Sequence, residues 1–263
     1  IQGYNYVKKI LGMILLLARA LGARWLLQQI NRVMRKLTSF THYLQYVIEW
    51  KCMPHPEWFD HFLDQHCFWT KTGIPFGWER GIFNLLVMKQ GARVLELCCG
   101  DGFNAHHFYS IRAGNISSID FDPKAIQSAK RNFKRSNVSY FVGDIRKDMP
   151  AENVDNIIWD AAIEHFTEAE IDQIMVSIKQ RLGEKGVLSG YTIVEHPDGK
   201  SHHEHEYEFH SKEDLMRFLV PHFKHAHVFE TIYPTRHNLY FFASDSACLP
   251  FSPDWPYQIT HSA

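Results

Sequence analysis

The chain has 263 residues, 45% of them hydrophobic and 22% charged, enough for one sizeable core and an appended segment. A formal net charge of −1 gives no global attraction to a phosphate backbone, which argues against a nucleic-acid substrate. Five cysteines, Cys52, Cys67, Cys98, Cys99 and Cys248, make no regular framework and read as reduced thiols of a cytoplasmic protein.

Residues 1–80 precede the part of the chain that carries motifs. Apolar residues are dense from Val7 to Leu37, interrupted by Lys8, Lys9, Arg19, Arg24, Arg32, Arg35 and Lys36, and no acid comes before Glu49. The longest uncharged run, Ile10–Ala18, is about half of the roughly 20 residues a membrane span needs. Two readings stay open: a helical extension packed on the core, or a basic amphipathic helix resting on the anionic inner face of a membrane through residues 1–37. An aromatic stretch follows, from Trp58 to Trp69, with Trp58, Phe62 and His66 at helical spacing. It suggests a lid helix, and the Pro75–Gly77 loop after it offers Trp78 and Glu79 as acceptor contacts.

From residue 81 to 245, short apolar runs alternate with amphipathic segments, the pattern of a parallel sheet covered by helices on both faces. Strand one, about 93–98, runs into a glycine turn at Gly100 and Gly102 and then a helix over Asn104–Arg112. Strand two, Ile116–Phe121, carries Asp120 about 20 residues after the turn, where a carboxylate accepts both hydroxyls of a ribose. Asp122-Pro123 opens a helix to about Phe133 as N-cap and first helical residue. Strands three (Val138–Val142) and four (Val154–Trp159) come next, then a helix over Glu168–Leu182 ended by Gly183. Strand five (Gly186–Val194), a helix over Ser211–Leu219 and two strands near Ala226–Thr231 and Asn238–Ala243 complete the set. The expected fold is α/β: a seven-stranded, mostly parallel, doubly wound sheet with a terminal antiparallel hairpin, preceded by a helical N-terminal extension. Residues 246–263 form a tail.

The turn itself selects the nucleoside. A nicotinamide dinucleotide wants G-x-G-x-x-G for its pyrophosphate, and the corresponding residues are Cys98, Gly100 and Phe103. Glu96 and Asp101 would repel a pyrophosphate and attract an ammonium. A ligand with a ribose, a cationic centre and no phosphate fits best, and S-adenosylmethionine has all three.

The sequence here resembles the class I S-adenosylmethionine-dependent methyltransferases. VLELCCGDG is similar to that family's first motif, with Glu96 at the acid, Cys98 in place of the first glycine, and Gly100 and Gly102 as the later two. IDFDP is similar to the second motif, YFVGDI to the third, and NIIWDAAIEHF to the fourth strand and the lip over the methyl group. The resemblance, over roughly residues 80–245, implies S-adenosylmethionine as cofactor. It implies Glu96, Cys98, Gly100, Gly102, Asp120, Phe121, Asp144, Ile145 and Asp160 as the residues that hold it. Asp144 would take the adenine amino group, and Ile145 or Val142 would pack on the ring.

The acceptor side is read from histidines. His165 lies in the turn after strand four, and His202, His203 and His205 lie in the insertion after strand five, at the carboxyl ends of parallel strands where ligands of open α/β folds bind. An imidazole suits removal of a hydroxyl proton, so these four are the catalytic candidates, and Trp78, Glu79, His165 and Tyr207 the acceptor-binding ones. No metal site is expected, because the His202-His203-Glu204-His205 run lacks the H-E-x-x-H spacing. The expected activity is O-methylation of a small molecule or glycan, with N-, C- or S-methylation and a non-catalytic nucleoside-binding module as alternatives.

Overall fold

The computed structural model describes residues 2–48, 60–151, 153–197, 199–200, 202, 204–246 and 248–251. The chain divides into two units, residues 1–55 and 56–263. Trp58 and His203 lie outside the described residues, as does most of the 246–263 tail.

The first unit holds two helices, α1 (Gln2–Ala20) and α2 (Ala23–Tyr46), separated at Leu21-Gly22 and bent by 76°. Gly22, at φ 77°, takes a left-handed turn open to a residue without a side chain. Ile14, Leu15, Leu17, Leu21, Trp25, Leu27 and Val33 are all exposed, and α2 buries none of its residues. Among the described residues no single helix is long and apolar enough to cross a membrane, whereas the bent pair passes that test together.

The second unit is a seven-stranded sheet in the order β3-β2-β1-β4-β5-β7-β6. Its strands are β1 (Arg93–Leu97), β2 (Asn115–Asp120), β3 (Val138–Val142), β4 (Val154–Asp160), β5 (Leu182–Ile193), β6 (His225–Tyr233) and β7 (Arg236–Ser244). The first five pair in parallel, and β7 runs antiparallel between β5 and β6. The central strand β4 feeds its two faces into separate cores: Ile157 and Trp159 join one cluster and Ile158 the other.

Helices cover both faces. α7 (Glu168–Arg181) starts at a full capping box, Thr167 with Glu170, and buries Ile171, Ile174, Met175 and Ile178, spaced for one helical stripe. α6 (Pro123–Asn132) starts at Asp122, whose side chain accepts from the Lys124 N–H, and α8 (Lys212–Leu219) at Ser211. Two expectations need correction at the ends of elements. The helix expected over 104–112 is a short α5 (Phe103–His107) followed by a 3-10 turn at Tyr109–Ile111, broken at Phe108. Gly183 does not cap α7: Leu182 turns directly into the extended backbone of β5, which already contains Gly183.

α3 (His61–Thr72) and α4 (Phe76–Leu85) fall in the second unit with the sheet. The Pro75–Gly77 segment, expected as a loop, is the start of α4. Its glycines serve close packing: a Cβ on Gly77 would stand 1.2 Å from Gln65 Oε1, and one on Gly81 2.3 Å from the Phe108 ring.

Candidate functional site

The strand order reverses direction between β1 and β4, so their carboxyl ends open a crevice between the two helical layers. β1 ends in the Cys98–Gly102 turn, and three of its residues are left-handed: Cys98 (φ 55°), Gly100 (φ 54°) and Gly102 (φ 80°). Cys98 therefore adopts the backbone a glycine would take at that position, at a strain of order 1–3 kcal/mol for a residue with a Cβ. The Cys99 N–H anchors the turn on the Ile119 carbonyl at 3.0 Å. At Gly102 only a hydrogen fits, because a Cβ would lie 2.7 Å from the Tyr140 ring.

Four carboxylates converge on this turn, and each is held differently. Asp120, last in β2, accepts the Gly100 N–H on Oδ2 (2.8 Å) and the Asp122 N–H on Oδ1 (2.9 Å), which fixes its plane. Asp101 accepts the His61 N–H (3.2 Å) and the Phe103 N–H (3.1 Å), and His61 Nδ1 stands 3.0 Å from it. Burial alone would lower the His61 pKa, but the charge of Asp101 and its hydrogen bond outweigh that and raise it. Glu96 is buried in β1 and accepts the Ser118 hydroxyl at 2.7 Å. Burial pushes its pKa up to about 8 against the opposing Ser118 hydrogen bond, with Asp160, Asp120 and Asp101 adding to the rise. Glu96 is thus mostly neutral at pH 7, with no cation paired to it among the described residues, which corrects the expectation of a standing negative charge there.

Asp160, last in β4, receives both Nε (2.7 Å) and Nη2 (2.6 Å) of Arg80 and the Asn104 amide (3.1 Å) on a single oxygen, Oδ2. Its Oδ1 is buried without a hydrogen-bond partner, and so is the Asn104 carbonyl oxygen. Two orphaned acceptors on side chains hydrogen-bonded to one another suit a ligand that brings several N–H donors, such as an α-ammonium group. Arg80, Asn104 and His61 escaped the sequence reading; the only signal for Arg80 was a basic residue beside Trp78 and Glu79.

The outer wall is apolar. Phe121 (69% exposed) and Val142 (55%) follow Asp120 and end β3, and Ile145 is buried beneath them. Asp144, expected on the adenine, is clasped by Arg146, with Nε to Oδ1 at 2.9 Å and Nη2 to Oδ2 at 2.8 Å. That ion pair and hydrogen bond hold its carboxyl below the usual carboxylate range.

At the lip, Ala161 is left-handed (φ 53°) with its N–H on the Tyr191 carbonyl, and a 3-10 turn at Ile163–His165 follows. The His165 ring meets the His205 ring edge-on at 4.7 Å, and His202 lies 5.4 Å from His205. His205 Nδ1 contacts Glu208 Oε1. Three expected acceptor residues are spent elsewhere. Trp78 packs edge-on against Phe103 and Phe108 in the core. Glu79 takes the hydroxyls of Tyr233, Tyr240 (2.7 Å) and Thr231 (3.2 Å), tying α4 to the hairpin. Tyr207 donates to Asp214 (2.8 Å) and accepts from Arg217, bracing α8. Each was placed by its position in sequence, and each is bound by a partner that only the fold brings near.

Residues 94–186 match the model of a methyltransferase domain. A protein-L-isoaspartate O-methyltransferase of Pyrococcus horikoshii is 33% identical over 91 residues, which are 33% of this chain and 41% of that protein. The chain thus spans less than half the length of that curated relative. Among solved structures, a DhpI–SAH complex superposes with a TM-score of 0.52 at 17% identity, over 71% of this chain and 94% of that one. The N-methyltransferase NodS of Bradyrhizobium japonicum gives 0.53 at 18%, over 65% and 98%. At such identities the likeness to solved structures establishes the fold, and the domain match covers residues 94–186. Residues 94–186 thus carry a methyltransferase-domain match, in a chain whose sheet order is that of the Rossmann-like fold of solved S-adenosylmethionine-dependent methyltransferases.

Proposed function

We propose that the chain binds S-adenosylmethionine in the crevice at β1, β2 and β4 and transfers its methyl group to a hydroxyl of a small molecule or glycan. The donor set supports the cofactor: Asp120 for the ribose hydroxyls, Phe121, Val142 and Ile145 as apolar surface for the adenine, and the orphaned oxygens of Asp160 and Asn104 for the ammonium. When bound, the cofactor supplies a methyl group on a sulfonium, already activated for displacement. The protein's own work is positional: holding the acceptor close, aligned and out of water, an effect worth about 7–11 kcal/mol in favourable cases.

The observation that carries the acceptor side is the His165–His205 pair at the lip, with Glu164 and Glu208 buried beside it. Imidazoles and carboxylates at this end of the sheet engage a hydroxyl and assist the loss of its proton, which a nitrogen or sulfur acceptor needs less. The first unit supports a location at an anionic membrane surface, near membrane-linked acceptors: no acid occurs before Glu49, and apolar side chains of α1 and α2 stand exposed between Lys8, Lys9, Arg19, Arg24, Arg32, Arg35 and Lys36.

The test is transfer of an isotopically labelled methyl group to a panel of hydroxylated small molecules and glycans, with the product atom assigned by mass spectrometry. A labelled methyl ether is expected, and His165→Asn should depress turnover by roughly 10²–10⁴ while leaving donor affinity nearly intact. Label found only on nitrogen or sulfur, or a His165→Asn variant with full turnover, would overturn the acceptor assignment.

A further inference from the structure

The insertion after β5 folds back onto the lip after β4 and is fastened there through the main chain. The N–H groups of Glu206 and Tyr207 both donate to the Glu164 carbonyl, at 2.9 and 3.0 Å. Lys200 Nζ secures the same segment by donating to the carbonyls of His205 (2.8 Å) and Glu206 (2.9 Å). Two residues separated by 40 positions, His165 and His205, are thereby held ring to ring at 4.7 Å. One ligand atom from each of Glu164, His165 and His205 lies within 4.8 Å of the other two.

Three features of this trio belong to a cation site more than to a packed core. Glu164 is 4% exposed, and its carboxylate accepts only the Thr192 hydroxyl (2.9 Å to Oε2), with no lysine or arginine paired to it among the described residues. Buried carboxylates are ordinarily neutralised by a cationic side chain or by a metal ion. His165 Nδ1 lies 3.2 Å from the Glu204 carbonyl, which can only accept, so the ring carries its proton on Nδ1 and presents Nε2 as its basic nitrogen. His205 Nδ1 faces the buried carboxylate of Glu208. A carboxylate or carbonyl behind the far ring nitrogen is the arrangement that fixes the orientation of a metal-ligating histidine and makes it more basic.

We propose that Glu164, His165 and His205 bind one divalent first-row transition cation, of the zinc or manganese type, at the acceptor end of the crevice. Two imidazoles and one carboxylate suit such ions, and three protein ligands leave a coordination position for water or an acceptor oxygen. A tetrahedral ion with ligands at about 2.1 Å sets its donor atoms about 3.4 Å apart, so loading draws the two rings and the carboxylate inward. The cation site stands on these contacts alone; its use rests on the methyl-transfer reading. With the cation in place, His165 and His205 assist the loss of the acceptor proton as its ligands and not as bases: an acceptor hydroxyl bound at the open position would release its proton to solvent at lower pH than the same hydroxyl in water. The sequence expectation of no metal was drawn from the 202–205 run alone, and the trio becomes visible only when the lip and the insertion are brought together.

The experiment is titration of the chelator-stripped full chain with zinc chloride and, separately, manganese chloride, by calorimetry and by competition with a chromophoric chelator. One equivalent is expected to bind zinc. Glu164→Gln, His165→Ala and His205→Ala should each weaken zinc binding at least 100-fold, and Glu208→Gln by 10–100-fold. His237→Ala, which removes a histidine paired with Glu230 on the hairpin, should bind zinc like the parent. S-adenosylhomocysteine binding, measured on every protein, reports that the crevice is intact and separates a failed cation site from a failed cofactor reading. If Glu164→Gln does not fold, the partly exposed His165 gives the decisive variant. Absence of a stoichiometric zinc site in the parent, or parent-like affinity in His165→Ala and His205→Ala, would overturn the proposal.

Discussion

Arg80→Met isolates the charge balance of the crevice. Arg80 places two nitrogens within 2.7 Å of Asp160 Oδ2, with side-chain exposures of 14% and 4% for the pair, and its guanidinium lies 5.1 Å from the Tyr191 ring centroid. Removing it leaves the Asn104 amide at 3.1 Å as the remaining donor to a buried carboxylate whose other oxygen already lacks a partner. Breaking one side of a buried pair costs about 3–5 kcal/mol, mostly the penalty of the abandoned charge. Replacing both sides by apolar residues of similar volume is often close to neutral. Arg80→Met should therefore lose about 3–5 kcal/mol in urea unfolding followed by circular dichroism, and Arg80→Met/Asp160→Leu should recover most of it. A single variant costing under about 1 kcal/mol, the range of a solvent-exposed pair, would refute the reasoning. So would a double variant whose cost equals the sum of the two single ones.

Asp120→Ala should weaken S-adenosylmethionine binding by about 1–3 kcal/mol in calorimetry through lost charge-assisted hydrogen bonds to the ribose; unchanged affinity would mean that Asp120 has another role. Glu96 gives a pH signature. Its pKa rises to about 8 in the fold from 4.5, so the folded state holds the proton more tightly and the stability this contributes is lost as pH climbs from about 5 to 8. Glu96→Gln should remove a slope of about 1.4 kcal/mol per pH unit in that window, and parallel stability profiles for variant and parent would contradict the burial argument. For the first unit, the triple reversal Arg32→Glu, Arg35→Glu and Lys36→Glu should abolish co-sedimentation with anionic vesicles at low salt, since each basic residue near such a surface contributes about 1 kcal/mol. Equal recovery of the triple variant and the parent would remove the membrane reading.

The parts of the fold legible in the sequence were those governed by neighbours in the chain. The apolar run Val94–Leu97 before a glycine turn, the acid ending β2, the Asp122-Pro123 start and the helix start at Ser211 are each decided within a few residues, and they stand where the pattern put them. Seven strands at those spacings leave few ways to wind, so the sheet order followed. Partnerships across the fold were not legible. Glu79 and Tyr240 are 161 positions apart, and Arg80 and Asp160 are 80 apart; nothing local distinguishes Glu79 from a ligand-facing acid. The glycines of α4 misled for a related reason. Gly77, close to Pro75, punctuates a loop in sequence terms, yet it and Gly81 let Gln65 and Phe108 close on the helix. Cys98 shows the converse, a motif position without its glycine that keeps the motif's left-handed backbone.

Calorimetric titration of the full chain with S-adenosylmethionine and, in parallel, with NAD bears most directly on the acid-lined crevice. S-adenosylmethionine should bind one per chain and weaken on Asp120→Ala, and NAD should give no heat of binding, because its pyrophosphate would meet Asp101 and, at Phe103, a side chain where it needs a glycine. Binding of NAD, or no binding of S-adenosylmethionine, would contradict the assignment of this crevice.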